Sequence, residues 1–192
     1  MNKQTLFRIW HTFRLYMIFS SGKRADYLRE HDIFHHMGEG CTIVNRKVPL
    51  CPKLISIGNN VHLATNVFLI PHDAIHLCFN GLKKPLDGGA RYKEKIGCIE
   101  IGNNVFIGSN STVLYDVKIG SNVIVGANSL VNKDFPDNSV AVGAPAKVIG
   151  TFEAFVAKRK ATPMYPNELS PISHLISKEL ENWCWNDFYA RR

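Results

Sequence analysis

The chain has 192 residues, which suits one domain with short appendages and argues against several domains. Hydrophobic residues make up 45% and charged residues 20%, as is ordinary for a globular protein. The formal net charge of +7 favours anionic partners, but it does not choose between nucleic acid, membrane headgroups, phosphorylated cofactors and acidic glycans.

The cysteines are few and scattered. None forms a CxxC pair and their number, five, is odd, so free thiols in a reducing cytosol are expected. Their positions are Cys41, Cys51, Cys78, Cys98 and Cys184. The sequence therefore predicts a cytoplasmic protein.

The first 20 residues are rich in apolar and aromatic side chains, but Arg8 and Arg14 interrupt them. The longest apolar run, residues 15–19, is far too short to span a bilayer. The pattern predicts an amphipathic helix that packs on the body of the protein or on a neighbouring subunit. Contact with a membrane surface is the alternative, because basic residues accompany the aromatic ones.

A period of six residues dominates the middle of the chain. Within residues 101–134 an aliphatic residue recurs every six positions, Gly follows it four times out of six, and Asn or Asp always stands three positions after it. The aliphatic residues are Ile101, Ile107, Val113, Ile119, Val125 and Val131, with an earlier copy at Ile57, Leu63 and Leu69 and fainter copies at Met37 and Ile43.

A period of six fits neither an α-helix nor a single alternating strand. It predicts a coil of three short strands, in which one aliphatic side chain per strand points inward and stacks on its counterpart in the next coil. The small residue and the Asn favour the corners, where a positive φ is cheap for Gly and tolerable for Asn. Stacked coils pair as parallel strands and bury a continuous aliphatic core.

The chain divides into three regions on this reading. Residues 1–36 form an N-terminal helical segment, residues 37–150 form the coil, and residues 151–192 form a C-terminal helix and tail. The repeat is broken completely over residues 73–98, and loops of this length in a compact domain are usually functional or disordered.

The repeat and its ending, Val131-Asn-Lys-Asp-Phe-Pro through Gly143-Ala-Pro-Ala-Lys, resemble the hexapeptide-repeat acyltransferases. The segment 23–29 also resembles the opening of their maltose, galactoside and capsular polysaccharide O-acetyltransferase group. The resemblance implies an all-β, left-handed parallel β-helix with an N-terminal helix, a long loop insertion and a C-terminal helical tail. It also implies a homotrimer that moves an acetyl group from acetyl-CoA to a hydroxyl of a sugar or polysaccharide, at a site between subunits.

The resemblance makes His72 the general base. A sugar hydroxyl is a poor nucleophile until its proton is removed, and imidazole has a pKa suited to that near neutral pH. Asp73 follows directly and could orient the imidazole. His76 is the second choice for the base, or a residue that contacts the substrate.

The family pattern also suggests where CoA and the acceptor bind. A backbone N–H near Ser109 would stabilise the oxyanion. Ser109, Ala127, Asn132 and Lys133 would line a CoA groove between subunits, and Lys147 would meet the CoA phosphates. Asn45 lies close to a position that contacts the sugar in the family. No metal is expected.

Rival functions remain open at this stage. The spacing of His36, His72 and His76 imitates the zinc ligands of γ-class carbonic anhydrases, which share the fold. A β-helix scaffold without chemistry is a second rival. Nucleic-acid binding rests on the net charge alone, and no nucleic-acid partner is expected. Among acyltransferases, an amino sugar or an antibiotic is the alternative acceptor, although Pro71 before His72 departs from the pattern of the drug-modifying enzymes.

Overall fold

The computed structural model describes residues 2–84, 88–89, 91–162, 164–171 and 175–192. Positions 85–87 and 90 of the predicted loop, and positions 163 and 172–174 of the predicted tail, lie outside the described residues. The chain divides into two compact units, Met1–Ala154 and Phe155–Arg192.

Helices flank a series of very short strands. The helices are α1 (Lys3–Met17), α2 (Ser21–Glu30), α3 (Ile75–Asn80), α4 (Phe152–Ala161) and α5 (Lys178–Ala190), with 3-10 turns at Pro52–Leu54 and Asn167–Leu169. The strands are β1 (His36–Met37), β2 (Thr42–Ile43), β3 (Ile55–Ile57), β4 (Val61–Leu63), β5 (Phe68–Ile70), β6 (Ile99–Ile101), β7 (Val105–Ile107), β8 (Thr112–Leu114), β9 (Val117–Ile119), β10 (Val123–Val125), β11 (Leu130–Val131), β12 (Ser139–Val142) and β13 (Lys147–Thr151).

The strands form three sheets, and successive strands of the chain fall in different sheets. Sheet A has the order β1-β3-β6-β9, sheet B the order β13-β12-β10-β7-β4-β2, and sheet C the order β11-β8-β5. All pairings are parallel except that of β13 with β12. The chain therefore winds through one strand of each sheet per coil. The structure confirms the predicted left-handed parallel β-helix.

The register gives the length of a coil. Ile99 pairs with Val117, and Val105 pairs with Val123, so one coil takes 18 residues, which is three hexapeptides. Between β3 and β6 the offset is 44 residues, because Ile55 pairs with Ile99. That offset exceeds an ordinary coil by 26 residues, the length of segment 73–98. The coil therefore resumes in register after the predicted loop.

The core holds more side chains than the repeat suggested. In sheets A and B both outer residues of a three-residue strand are buried, as in Val105 and Ile107, while the central residue points outward. The prediction of one inward side chain per strand was wrong. A three-residue strand alternates in, out, in, so the residue two before each repeat aliphatic also faces the core. The first inward position is not always aliphatic: in sheet C it is Val67 in one coil and Ser111 and Ser129 in the next two, and in β12 of sheet B it is Ser139.

Asn and Gly have separate roles at the corners. The left-handed residues of the repeat are Asn or Asp, for example Asn104 at φ 56° and Asn122 at φ 56°. The repeat glycines have no positive φ, and they are needed for space: a Cβ on Gly102 would lie 2.7 Å from the carbonyl carbon of Gly120. The prediction that Gly supplies the positive φ was therefore wrong. Close approach of consecutive coils selects Gly, and the αL turn selects Asn.

The corner asparagines also bond to one another along the helix axis. The Nδ2 of Asn60 donates to Oδ1 of Asn104 at 2.9 Å, Asn104 repeats this contact with Asn122, and Asn122 repeats it with Asn138, each at 2.9 Å. Such a ladder satisfies one donor and one acceptor of each amide and fixes the spacing of the coils.

The N-terminal helices lie beside the first coil. The Arg24 guanidinium is buried, and it donates to the carbonyl of Ile43 at 2.9 Å and to that of Ile18 at 2.7 Å. The outer side of α1 leaves large apolar side chains exposed, Trp10 by 58% among them. In the part of the chain that the structure describes, no helix has the length and apolar character that crossing a bilayer requires.

The second unit is helical. It contains most of α4, the 3-10 turn Asn167–Leu169 and α5. Ser177 caps the start of α5, because its side chain accepts from the Leu180 N–H. Its aromatic side chains contact one another: Trp183 meets Tyr165 edge-on, and Trp185 stacks with Tyr189.

Candidate active site

The long loop leaves and rejoins the coil through a short antiparallel neck. His72 forms a β-bridge with Ile96, the Asp73 N–H donates to the carbonyl of Lys95 at 3.0 Å, and the Gly97 N–H donates to that of Pro71 at 2.9 Å. These contacts hold the backbone on both sides of His72. The neck therefore fixes the backbone that carries the His72 imidazole at the edge of the coil, although the loop beyond it is long.

Asp73 is oriented by a residue that the sequence reading did not single out. Its carboxylate accepts a hydrogen bond from the Tyr115 hydroxyl at 2.6 Å and another from the Ile75 N–H at 3.1 Å. The Tyr115 hydrogen bond, more than any other cause, holds the pKa of Asp73 below its usual range, and the same bond raises the pKa of Tyr115. Asp73 is therefore a carboxylate that ties the start of the loop to the corner after β8.

Tyr115 is itself held in place from the other arm of the neck. The Lys95 ammonium lies 5.6 Å from the centre of its ring and pairs with the Asp116 carboxylate at 2.5 Å. The one signal for this corner in the sequence is that the repeat starting at Val113 lacks the usual glycine. Leu114 and Tyr115 stand there in place of Gly and Asn, and Asp116 at φ 55° still forms the left-handed corner.

Two imidazoles lie near the Asp73 carboxylate. His76 and His72 both contribute to lowering the pKa of Asp73, after the hydrogen bonds that dominate it. The Nδ1 atoms of His72 and His76 are buried and have no hydrogen-bond partner. Asp73 thus does not hold His72 through Nδ1, and its hydrogen bonds go to Tyr115 and Ile75 instead. A buried polar atom without a partner is uncommon in a folded protein, and it marks both histidines as candidate functional groups.

The residues predicted to bind CoA fall into two rows. Ser109 and Ala127 each stand two residues after paired strands of sheet B, at its edge toward sheet C. Lys147 pairs with Val142 at the end of β12, which extends the same row. These side chains are exposed or partly exposed. One row therefore runs along the corner between sheets B and C.

Asn132 and Lys133 belong to the second row. They follow β11, just as His72 follows β5, and these strands pair in register through β8 in sheet C. The second row therefore runs along the corner between sheets C and A, on the same edge as His72. Both side chains are exposed.

The width of sheet C separates the two rows within one chain. Five residues lie between Ser109 and Tyr115 along the coil. The six residue steps from one to the other span roughly 20 Å of backbone at about 3.3 Å per residue, so the rows lie on the order of 15–20 Å apart. One chain therefore does not bring the His72 imidazole to the Ser109 N–H.

Asn45 lies at the corner between sheets B and C, and its side chain hydrogen-bonds to the backbone of the next coil. Its Oδ1 accepts from the Asn66 N–H at 2.9 Å, and its Nδ2 donates to the carbonyl of Val67 at 2.6 Å. Asn66 continues this corner to Asn110 through a 3.2 Å side-chain hydrogen bond. The amide of Asn45 thus begins a ladder like that of the neighbouring corner.

No group of three His, Cys, Asp or Glu side chains placed to hold a metal ion occurs among the residues that the structure describes. His36, from the zinc alternative, lies exposed on β1 in sheet A, where it pairs with Ser56.

Comparisons with known proteins agree with this architecture. Residues 98–133 match the family described as bacterial transferase hexapeptide (six repeats). Protein CapG of Staphylococcus aureus is 43% identical over 134 residues, which cover 68% of this chain and 74% of that protein. The chain belongs to the hexapeptide-repeat acyltransferase family, in its left-handed β-helix class.

Two acetyltransferases that act on sugars are also similar. The galactoside O-acetyltransferase of Escherichia coli is 42% identical over 96 residues, which cover 50% of this chain and 43% of that protein. The crystal structure of a maltose O-acetyltransferase from Clostridium difficile has a TM-score of 0.50 at 26% identity, and the match covers 78% of this chain and 89% of that one.

Proposed function

We propose that the protein transfers an acetyl group from acetyl-CoA to a hydroxyl of a sugar or polysaccharide, with His72 as the general base. The observation that carries this proposal is the buried, unpartnered Nδ1 of His72 on a backbone fixed by the loop neck. The names of the galactoside and maltose relatives support a sugar hydroxyl as the acceptor.

The reaction needs one proton acceptor and one oxyanion donor. The His72 imidazole takes the proton of the acceptor hydroxyl as its oxygen attacks the thioester carbonyl. The negative charge that develops on the carbonyl oxygen is stabilised by a fixed backbone N–H, for which Ser109 is the candidate. The tetrahedral intermediate then expels the CoA thiolate, which receives the proton from the imidazolium. The products are the O-acetyl ester and CoA.

The separation of the two rows supports a site between subunits. An oxyanion donor must lie about 3 Å from the reacting oxygen. Because Ser109 and His72 stand at opposite edges of sheet C in one chain, a neighbouring subunit has to supply one of them. A closed ring of three subunits, each placing its His72 edge against the Ser109 edge of the next, gives three equivalent sites.

The outer faces of the coil fit such a trimer. Sheet B presents Phe106, which is 45% exposed, and sheet C presents Phe68, which is 53% exposed. Sheet A instead carries the ion pair of Lys118 with Glu100 at 3.0 Å. Apolar surface on two faces and charge on the third favours burial of sheets B and C between subunits and exposure of sheet A to water.

CoA would lie between the two rows. The exposed ammonium groups of Lys147 and Lys133 are suited to its phosphates. The small side chain of Ala127 leaves the coil edge open for the pantetheine arm.

The test is acetyl-CoA turnover, followed by release of free thiol, against a panel of neutral and acidic sugars. His72→Ala should lower kcat by about 10²–10⁴-fold, as expected for loss of a positioned base. His36→Ala is the matched control, because it removes an exposed imidazole from sheet A and should leave turnover unchanged. Full activity of His72→Ala would refute the base assignment, and equal losses in both variants would point to the zinc alternative.

The subunit arrangement is tested by sedimentation of the active enzyme. Activity should follow the trimer and disappear as dilution releases monomers. A fully active monomer would refute the shared site and leave the base assignment to be judged by the variants.

A further inference from the structure

The second half of the long loop is anchored to α3. The Asn80 side chain donates to the carbonyl of Tyr92 and accepts from its N–H, both at 2.9 Å. The ring of Phe79 meets that of Tyr92 edge-on, with 5.2 Å between the centres. This paired contact fixes the backbone from which the neighbouring side chains, Arg91 and Lys93, project.

A pocket of about 310 Å³ opens between this segment and α3. It is lined by His76, Arg91, Tyr92, Lys93 and Glu94. The His76 Nδ1 is buried and has no hydrogen-bond partner. A volume of this size lies at the lower limit for ligand pockets, which suits a single sugar unit and is too small for a whole CoA molecule.

The charge of the pocket favours an anion. Arg91 and Lys93 place a guanidinium and an ammonium at its wall, against the one carboxylate of Glu94. Among the described residues, neither Arg91 nor Lys93 forms an ion pair. A guanidinium presents two parallel N–H donors that match a carboxylate, and an ammonium adds a third charge-assisted donor.

The pocket belongs to the neighbourhood of the proposed base. His76 is one of its walls, and His76 and His72 both lie close enough to Asp73 to lower the pKa of that carboxyl. A group bound there is therefore near the place where the acceptor hydroxyl must lie. Lys147, the residue proposed for the CoA phosphates, stands at the corner between sheets B and C and lines no part of this pocket.

We propose that this pocket selects an acidic acceptor, by binding the carboxylate of a uronic acid unit through Arg91 and Lys93 with His76 beside it. The inference rests on the proposed acetyl transfer to sugars and names the class of sugar. The carboxylate is the anchor that places a neighbouring hydroxyl before His72.

The experiment compares matched acceptors that differ only in the carboxylate: 4-nitrophenyl glucuronide against the glucoside, and the galacturonide against the galactoside. The variant is Arg91→Gln/Lys93→Gln. The control is Lys83→Gln/Lys84→Gln, which removes the same charge from exposed positions of the same loop. We expect kcat/KM for the uronides to fall by about 10–100-fold in the pocket variant, the loss typical of charge-assisted hydrogen bonds. The neutral sugars, the KM for acetyl-CoA and the control should not change.

Three results would overturn the inference. A rise in the KM for acetyl-CoA would assign the pocket to a CoA phosphate. Equal losses of kcat/KM for the acidic and neutral acceptors would show that the pocket does not recognise the carboxylate. An equal loss of kcat/KM in the Lys83→Gln/Lys84→Gln control would show that the uronides respond to the general positive charge of the loop. Thermal melts of both variants establish that they are folded.

Direct binding separates this inference from the proposed function. Titration calorimetry with the glucuronide and galacturonide needs no turnover. Binding by the wild type and the control, with loss in the pocket variant, supports the inference even if no sugar is acetylated, in which case the proposed function fails. Turnover of neutral sugars without binding of either uronide overturns the inference and leaves the proposed function standing.

Discussion

Replacing Gly108 with Ala tests why glycine recurs in this coil. The added Cβ would lie 2.5 Å from the backbone nitrogen of Ala127 and 2.8 Å from its Cα. These distances are roughly 1 Å inside normal contact, and the clashing atoms are backbone, so no side-chain rotation relieves them. Overpacking of this kind costs about 1–3 kcal/mol. Ala also restricts the unfolded chain more than Gly does, and this raises the free energy of unfolding by about 0.4–1 kcal/mol.

With central values of about 2 and about 0.7 kcal/mol for these two effects, the net loss is about 1.3 kcal/mol, which corresponds to a fall in Tm of about 3–5 °C for a chain of this size. Gly150→Ala is the matched control, because Gly150 lies in β13, has no positive φ and has nothing within 4 Å of the added Cβ. It should leave Tm unchanged or raise it slightly. Scanning calorimetry at one protein concentration measures both. Equal behaviour of the two variants would refute close coil packing as the reason for glycine.

Three further predictions follow from individual contacts. Burial, and secondarily the nearby His31, lowers the pKa of His11 from its ordinary value of 6.5. The unfolded chain therefore takes up the proton more readily than the folded one, so stability should be intact above pH 6.5 and fall as the pH drops below it. In urea melts at pH 7.5 and 5.5, His11→Gln should show a smaller pH effect than the wild type, and an equal effect would contradict this. Tyr115→Phe removes the hydrogen bond to Asp73. In steady-state kinetics it should lower kcat about tenfold and leave the KM for acetyl-CoA unchanged. A change confined to that KM would contradict a positioning role for Tyr115. Asn45→Ala removes two hydrogen bonds at its corner and should cost about 1–3 kcal/mol in chemical denaturation, with the acceptor KM unaltered. A raised acceptor KM without destabilisation would instead support the sugar-binding role predicted from the sequence.

The fold was predictable because every coil has the same packing and turn requirements, and the sequence meets them with the same residue types. An aliphatic residue at a fixed interval, with Asn three positions later, specifies a strand and a corner without reference to distant parts of the chain. The faint copies at Met37 and Ile43 are strands in the structure for the same reason. What the period hides is the second inward position of each strand, such as Val105, since the residues there vary between aliphatic and Ser.

The site was less predictable, because its contacts join segments far apart in sequence. The Tyr115–Asp73 hydrogen bond spans 42 residues and depends on the loop returning in register. No local pattern specifies such a contact, although the missing glycine after Val113 marks the corner as unusual. The pocket at Arg91 likewise depends on the Asn80–Tyr92 contact, which neither segment shows by itself.

The geometry of sheet C connects the repeat to the proposed mechanism. A coil of 18 residues places equivalent residues in rows along its corners, so a change in one hexapeptide alters one point in one row. His72 and Ser109 lie in different rows, on the order of 15–20 Å apart across sheet C. The coil resists bending across that gap, because its inward aliphatic side chains pack in one continuous core and its corner amides hydrogen-bond from coil to coil. The proposed assembly with a second chain would bring this pair of groups to a common substrate, and the apolar outer faces of sheets B and C offer a surface for it.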